Sequence, residues 1–297
     1  MKVFLTGATG YIGSAVVEKL LAAGHEVTGL ARSEEAARKL EALGARSVPG
    51  DLHDSESIAR ASLEADGVIH MASTGGADAP QADTEAVAAI LDALNGTGKP
   101  FIYTSGVWVY GNTKESVVDE ESPLDPTPLV AWRPPNEQRV LEAAARGVRS
   151  IVVRPGMVYG RGGGSVGEMV QAGREKGAVR FVGTGENRWT LVHVEDLADL
   201  YVKALERAPA GTLLLAAVGE SMRVREIAAA AARAAGVDGR TESWPIEQAR
   251  ERLGAYADAL VLDQQVSAAK AMRLLDWKPR APSLLEELAR KPVTEAE

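Results

Sequence analysis

The chain has 297 residues, 45% of them hydrophobic and 25% charged, enough for the core of one large domain or two moderate ones. A net charge of −8, with acidic residues spread along the chain, argues against a nucleic-acid partner, which requires a cationic, counterion-releasing surface. Zero cysteines exclude a disulfide framework, thiolate metal sites and a Cys nucleophile; with no apolar run of roughly 18 residues and no signal peptide before the first strand, a cytoplasmic protein without membrane contact is expected.

Short apolar runs alternate with amphipathic stretches through the first 160 residues, the mark of a parallel sheet flanked by helices. Val3-Phe4-Leu5 reads as a buried strand, followed by a helix over Tyr11–Ala23 with Ile12, Val16 and Leu20 on one face and Gly24 beyond its end. Glu26–Ala31 is the second strand, and Ser33 is placed to cap a helix over Glu34–Leu43. Further strands fall at Ser47–Pro49, Gly67–Met71, Phe101–Ser105 and, after a helix over Asn136–Arg146, Ser150–Val153. The pattern then loosens: a glycine-rich hinge at Arg161–Gly164, a helix through Met169 and Val170, and a strand Leu191–His193 before a helix Asp196–Leu205. Leu213–Leu215 is another strand, and the rest, including Ile227–Ala235 and Leu284–Leu288, is mostly helical. The expected architecture is α/β: a Rossmann-type doubly wound parallel sheet over residues 1–160, to which 189–216 returns, with a smaller, mostly helical substrate lobe over 161–297.

Thr6-Gly7-Ala8-Thr9-Gly10-Tyr11-Ile12-Gly13 lies between the first strand and first helix with glycines spaced G-x-x-G-x-x-G. Gly7 permits the tight turn, Gly10 lets a diphosphate approach the backbone, and Gly13 lets helix and strand pack, while the helix N-terminus offers free N–H groups. Thr9, Tyr11 and Ile12 share this turn and are expected cofactor contacts with the glycines. The second strand ends in Leu30-Ala31-Arg32-Ser33, without the carboxylate that an NAD site places there for the ribose hydroxyl. Arg32 can pair with a 2′-phosphate and Ser33 can add a hydrogen bond, so NADP is the expected cofactor; a solvated Arg beside a helix cap is the plainer alternative. Asp51 and Leu52 follow the third strand, placed either to touch adenine or to begin a turn. Met71, Ala72 and Ser73 end the fourth strand over the expected diphosphate and ribose path. No metal-ligand spacing is present, and no metal site is expected.

These motifs, with Tyr103-Thr104-Ser105-Gly106, Tyr110-Gly111, Arg154-Pro155-Gly156, Val158-Tyr159-Gly160, His193–Ala198 and Leu275–Pro279, resemble the extended and atypical short-chain dehydrogenase/reductases, often labelled the NAD-dependent epimerase/dehydratase group, over nearly the whole chain. The resemblance implies a Ser or Thr after the fifth strand and a Tyr-x-x-x-Lys at the start of the next long helix. Alignment instead puts Leu129 and Arg133 at the Tyr and Lys positions, Gly106 at the Ser position with Ser105 one residue earlier, and Asp83 near a supporting Asn. Leu129 carries no proton, and an Arg stays charged at any working pH. Arg133 either holds the ribose or polarises a carbonyl, or is a surface residue. Replacement acids are sought among Ser105, Tyr103, Tyr110 and Tyr159; Ser105 comes first, as acid or as orienter. Asp83 is a proton relay if buried, or a helix cap, and Trp132 walls the pocket or fills the core. Thr104, Pro155 and Gly156 are expected along the nicotinamide. His193 and Asp196 fit a structural junction, Asp capping and His orienting the helix. Gly183–Trp189 resembles a segment that supplies an Arg to nucleotide-sugar phosphates, although the Arg188 spacing to His193 is one residue longer. The expected activity is NADPH-dependent reduction of a small carbonyl or related C=X group; an epimerase/dehydratase and a non-catalytic NADP sensor are the alternatives. A homodimer through a helical face is the family's habit, which the sequence by itself does not show.

Overall fold

The computed structural model describes residues 1–219 and 221–290, so the last seven residues of the assigned lobe, 291–297, lie outside it. The first half runs β1 (Lys2–Thr6), α1 (Tyr11–Ala22), β2 (Glu26–Ala31), α2 (Glu34–Ala42), β3 (Arg46–Pro49), α3 (Ser55–Glu64), β4 (Gly67–His70), α4 (Ala79–Leu94), β5 (Pro100–Thr104), α5 (Arg133–Glu142) and β6 (Arg149–Pro155). It continues through β7 (Met157–Tyr159), α6 (Gly164–Lys176), β8 (Val179–Val182), β9 (Arg188–Trp189), β10 (Leu191–His193), α7 (Val194–Arg207) and β11 (Thr212–Ala216). The C-terminal part comprises β12 (Met222–Arg223), α8 (Val224–Ala234), β13 (Thr241–Trp244), α9 (Ile246–Leu253), α10 (Ala255–Leu260), α11 (Ala269–Leu275) and α12 (Leu284–Ala289).

A seven-stranded sheet has the order β11-β6-β5-β4-β1-β2-β3, every pair parallel, with Val3 opposite both Val27 and Gly67. Because a parallel sheet is covered on both faces, its strands are apolar at successive positions. Phe4, Val68, Phe101, Tyr103 and Val152 pack with Ile58, Val87, Ile90 and Val140 of α3, α4 and α5. Their neighbours Leu5, Ile69, Ile102 and Val153 point the other way, against Val16 and Leu20 of α1 and Leu197 and Tyr201 of α7. This is the Rossmann-like, doubly wound α/β arrangement that the sequence implies. The reversal of strand order between β1 and β4 opens a crevice at their carboxyl ends, where such folds take ligands.

Local signals account for most boundaries. Ser33 Oγ accepts from Ala36 N at 3.2 Å, the cap expected of it, and Gly24 leaves α1 at φ +82°. Two helices go unmarked in the sequence expectations, α3 and α4. The first is capped by Asp54, whose carboxylate accepts from Ser57 N at 3.0 Å; the second buries Ala82, Ala86, Val87, Ile90 and Leu94 at helical spacing. The expectation of a mostly helical remainder is amended by two small strand pairs, β8 with β13 and β9 with β12.

The return of 189–216 is visible in β11, which pairs with β6, and in α7, which packs on α1. A second return was not expected. Val266, Ala268, Ala271, Leu275 and Trp277 join the core on the α1–α7 side of the sheet, so this stretch packs with the sheet rather than with the lobe assigned to it. The loop after Tyr110 is strapped to the same stretch by Val118 N to Gln265 O (2.9 Å) and Ser267 N to Val118 O (2.8 Å). Glu120 in that loop accepts from Leu215 N at 3.1 Å, satisfying an amide on the free edge of β11.

Candidate active site

The glycine turn is built as a cradle. Gly7 has φ +76°, and a Cβ there would stand 2.8 Å from Ala72 N. Gly10 N donates to Gly7 O at 3.0 Å, and Gly10 precedes α1 with no side-chain cap, which leaves the first amides of the helix free. A Cβ on Gly13 would lie 2.0 Å from Gly7 O. The turn therefore exists only while these positions lack side chains, and its exposed amides fit a dinucleotide diphosphate. Thr9 is half-buried in the same turn. Thr6, which the sequence reading does not single out, fastens the turn to β4: its Oγ1 accepts from Met71 N and Ala72 N, both at 3.3 Å, and lies 2.7 Å from His70 Nδ1. With two amides donating to that oxygen, its proton goes to His70 Nδ1, and Nε2–H then donates to Asp83 Oδ1 at 3.0 Å.

At the end of β2, Arg32 and Ser33 edge a shallow recess of about 500 Å³ with Gly50 and Asp51. Among the described residues no carboxylate lies within ion-pair distance of Arg32, and its side chain is exposed. Asp51 begins a turn, accepting from His53 N at 2.8 Å while still edging the recess. Leu52 corrects an expectation: it is 7% exposed and packs with Leu30 and Ile58, because the chain turns inward after β3 to start α3.

A cleft of about 620 Å³ opens at the carboxyl ends of β1, β4, β5 and β6. Tyr11 and Ile12, Met71 and Ser73, Thr104 and Ser105, and Pro155 and Gly156 line it, as do Leu129, Trp132 and Arg133. Ala72 supports the floor through its contact with Gly7 rather than facing the space. Gly156 is required by close approach, since a Cβ there would meet Thr190 O at 2.7 Å. Arg133 Nη1 donates to Thr104 O at 2.8 Å and its guanidinium lies 4.5 Å from the Trp132 ring centroid, so the cation is held in place over a wall of the cleft. Ser105 is 7% exposed, and its Oγ is buried with no hydrogen-bond partner. Among the described lining residues Arg133 is the one fixed charge, with no carboxylate, imidazole or ammonium. Tyr11 donates its hydroxyl to Gly160 O at 2.8 Å, and burial pushes it above the usual phenol range.

The other candidate acids are engaged elsewhere. Asp83 lies inside α4, 3% exposed and outside the cleft lining, so neither a cap nor contact with substrate is open to it. Its carboxylate accepts from His70, from the Tyr103 hydroxyl at 2.8 Å and from Asn136 Nδ2 at 2.8 Å. Burial opposes its charge, but the hydrogen bonds from His70 and Tyr103 and the charge of Arg133 outweigh it and hold the carboxyl below the ordinary Asp range. Burial, then the Asp83 charge, pushes the Tyr103 hydroxyl well up. Tyr110 donates to Asp119 O at 2.8 Å, accepts from Arg154 Nη1, and is pushed by burial to about 12 despite that cation. Arg154, 3% exposed, is paired through Nε to both Glu137 oxygens (3.0 and 3.2 Å) and again through Nη2. This trio ties α5, and with it Arg133, to β6. Tyr159 donates to Pro282 O at 2.8 Å. None of Tyr103, Tyr110 and Tyr159 lines the cleft.

At the start of α7 the two expected roles are exchanged. His193 Nδ1 caps the helix by accepting from Glu195 N at 3.1 Å, while Asp196 accepts from Arg280 N (2.8 Å) and Ala281 N (3.2 Å), anchoring the segment after Trp277. Arg188 is neither free nor on the cleft: Nε and Nη2 grip the two Asp263 oxygens at 2.9 and 2.8 Å, which raises its pKa.

A parallel sheet with this crevice and a glycine turn leading into its first helix is the arrangement of Rossmann-type dinucleotide-binding folds. Residues 3–216 match the NAD dependent epimerase/dehydratase family, and the chain belongs to that family. It is an NAD(P)-dependent oxidoreductase or dehydratase by that membership. An uncharacterized protein of Schizosaccharomyces pombe is 36% identical over 97% of this chain and 98% of its own. A 4-hydroxy-2-methyl-3-oxo-4-farnesyl-3,4-dihydroquinoline-1-oxide ketoreductase of Stigmatella aurantiaca is 29% identical over 84% of this chain and 78% of its own. Among solved structures, the UDP-glucose 4-epimerase of Thermotoga maritima with UDP-glucose superposes with a TM-score of 0.83 at 22% identity, covering 97% of this chain and 96% of that one, a likeness of fold. No described helix is long and apolar enough to cross a membrane.

Proposed function

We propose that this protein is an NADPH-dependent oxidoreductase that reduces a carbonyl or related C=X group, with Leu129 and Arg133 standing where the family's Tyr-x-x-x-Lys would be. The observation that carries this reading is the Ser105 hydroxyl, which among the described residues is buried and unpartnered at the wall of a cleft whose one fixed charge is Arg133. A buried donor left unpaired carries a desolvation penalty of about 1–3 kcal/mol, which an incoming carbonyl oxygen relieves. The reduced nicotinamide, when bound, supplies hydride. Ser105 donates its O–H to the substrate oxygen, and Arg133, already fixed by Thr104 O, supplies positive charge as that oxygen becomes anionic. Water delivers the last proton, since no general acid that titrates near neutrality lines the cleft among the described residues. Pro155 and Gly156 shape the wall on the β6 side, and Leu129 and Trp132 keep the other side apolar.

Ser105→Ala is expected to lower kcat about 100-fold against a panel of ketones, aldehydes and imines, as loss of one oxyanion donor does, with NADPH affinity unchanged. An unaltered kcat would remove Ser105 from the mechanism. NADPH binding without consumption across the whole panel favours a sensor instead. The same site chemistry implies a pH profile of kcat that is flat between about pH 6 and 9, where side-chain acids near neutrality would otherwise impose a bend. A bell-shaped profile in that window would point to a titrating group that the cleft lining lacks.

Arg32 supports the choice of NADPH, being an exposed guanidinium beside Ser33 with no acidic partner among the described residues. Arg32→Glu is expected to weaken NADPH by about 10–100-fold, the worth of one charge-assisted pair, while leaving NADH nearly unchanged. Titrations of both dinucleotides by nicotinamide fluorescence check this; equal weakening of both contradicts it.

A further inference from the structure

The cleft does not end at its reacting groups. At Ser165 of α6 it meets a second cavity of about 820 Å³ in the C-terminal lobe. The partition is formed by side chains: Ser165 Oγ and the Tyr256 hydroxyl are 3.2 Å apart, and the Trp108 and Tyr256 rings meet edge to face with centroids 5.8 Å apart. The second cavity is lined by Phe181, Trp189 and Trp244 together with Tyr256, and by Met169 and Leu260. Trp189 is 3% exposed and its indole N–H is spent on Leu260 O at 3.1 Å, so it adds no free polar donor to the cavity lining. Charges sit on exposed residues at the rim and are of both signs, Lys176, Arg180 and Arg252 against Glu168 and Glu251, with Arg180 already paired to Glu242 at 2.9 Å.

We propose that this cavity binds the broad apolar part of the substrate whose carbonyl lies at Ser105, which makes the substrate class a ketone or aldehyde attached to a fused aromatic or similarly flat apolar body. The assignment rests on the carbonyl-reductase reading of the first cleft. A small carbonyl compound fills that cleft alone and leaves the aromatic walls uncovered, whereas ligand sites bury most of a ligand's surface against walls of this kind. A nucleoside diphosphate is the other extended occupant, and it needs committed cations. Arg188 is gripped by Asp263 and Arg180 is paired to Glu242, and the other two rim cations, Lys176 and Arg252, share the lining with Glu168 and Glu251.

The test uses the full chain loaded with NADP+, with 2-acetylnaphthalene as the probe and calorimetry as the readout. Trp244→Ala is expected to weaken the probe about 10-fold by removing one aromatic wall, and Ala172→Trp, which fills the cavity from α6, to abolish binding. Both variants should bind NADPH as the parent does, which shows that they are folded, and UDP in excess should leave the probe in place. No binding of the probe, equal binding by all three proteins, or displacement by UDP overturns the proposal. The two readings fail separately. Binding that responds to the variants, without NADPH consumption by any carbonyl, supports the cavity assignment and sinks the reductase reading. Reduction of butanone by parent and Ala172→Trp alike, with no binding of the naphthyl ketone, does the reverse.

Discussion

Replacing Glu137 with leucine is expected to destabilise the folded protein by about 3–5 kcal/mol, the penalty for stranding one member of a buried ion pair. Arg154 is 3% exposed and directs Nε and Nη2 at Glu137, leaving Nη1 for the neutral Tyr110 hydroxyl. Once the carboxylate is gone, no other described acid lies within ion-pair distance of the guanidinium, and Tyr110 is a weak substitute because burial has already pushed its pKa to about 12. Urea denaturation at constant m-value reads the change. The double variant Glu137→Leu with Arg154→Met is expected to recover most of the loss, since removing both charges also removes their desolvation penalty. A single variant within about 1 kcal/mol of the parent would show that the guanidinium finds water or another partner, and would contradict the burial on which the estimate rests.

The other large effect is expected at Gly13. An added methyl there falls 2.0 Å from Gly7 O, a backbone atom that also accepts from Gly10 N, so α1 must retreat or the turn must open. Either movement displaces the free amides at the start of α1, to which the proposed function assigns the dinucleotide diphosphate. Gly13→Ala is therefore expected to weaken NADPH by at least about 100-fold, equivalent to about 2.7 kcal/mol. Gly24→Ala provides the contrast. Its Cβ meets nothing within 4 Å, but φ is +82°, so the expected penalty is about 1–2 kcal/mol of stability with dinucleotide affinity retained. Parity of the two variants in NADPH titration would remove the steric account of the cradle.

The contrast between these two positions also separates what could be read locally from what could not. The glycine turn, Ser33 as a cap and the apolar strands were legible, because each depends on residues within a few positions of one another. The helical pattern of α4 was equally available at Ala82, Ala86, Val87, Ile90 and Leu94. Tyr110 and Asp83 were placed by motif alignment and Leu52 by its position after the third strand, which give a place along the chain and say nothing of where a side chain points. Tyr110 turned toward Arg154 and Asp119, Asp83 toward His70, Tyr103 and Asn136, and Leu52 into the core.

From the sequence alone follow the parallel sheet, the glycine turn before α1, the position of Arg32 at the end of β2 and the absence of a thiol chemistry, since each rests on local pattern or composition. Tertiary structure alone decides which polar groups remain free. Asn136 reaches Asp83 across 53 positions, Arg188 reaches Asp263 across 75, and Arg154 reaches Glu137 across a helix–strand contact. Those pairings follow from how α4, α5 and the C-terminal stretch pack on the sheet, and they leave Ser105, a cleft-lining residue, with a buried hydroxyl that has no partner among the described residues. A hydrogen bond is a relation between two groups in space, so a single chain position does not disclose whether its donor is already spent.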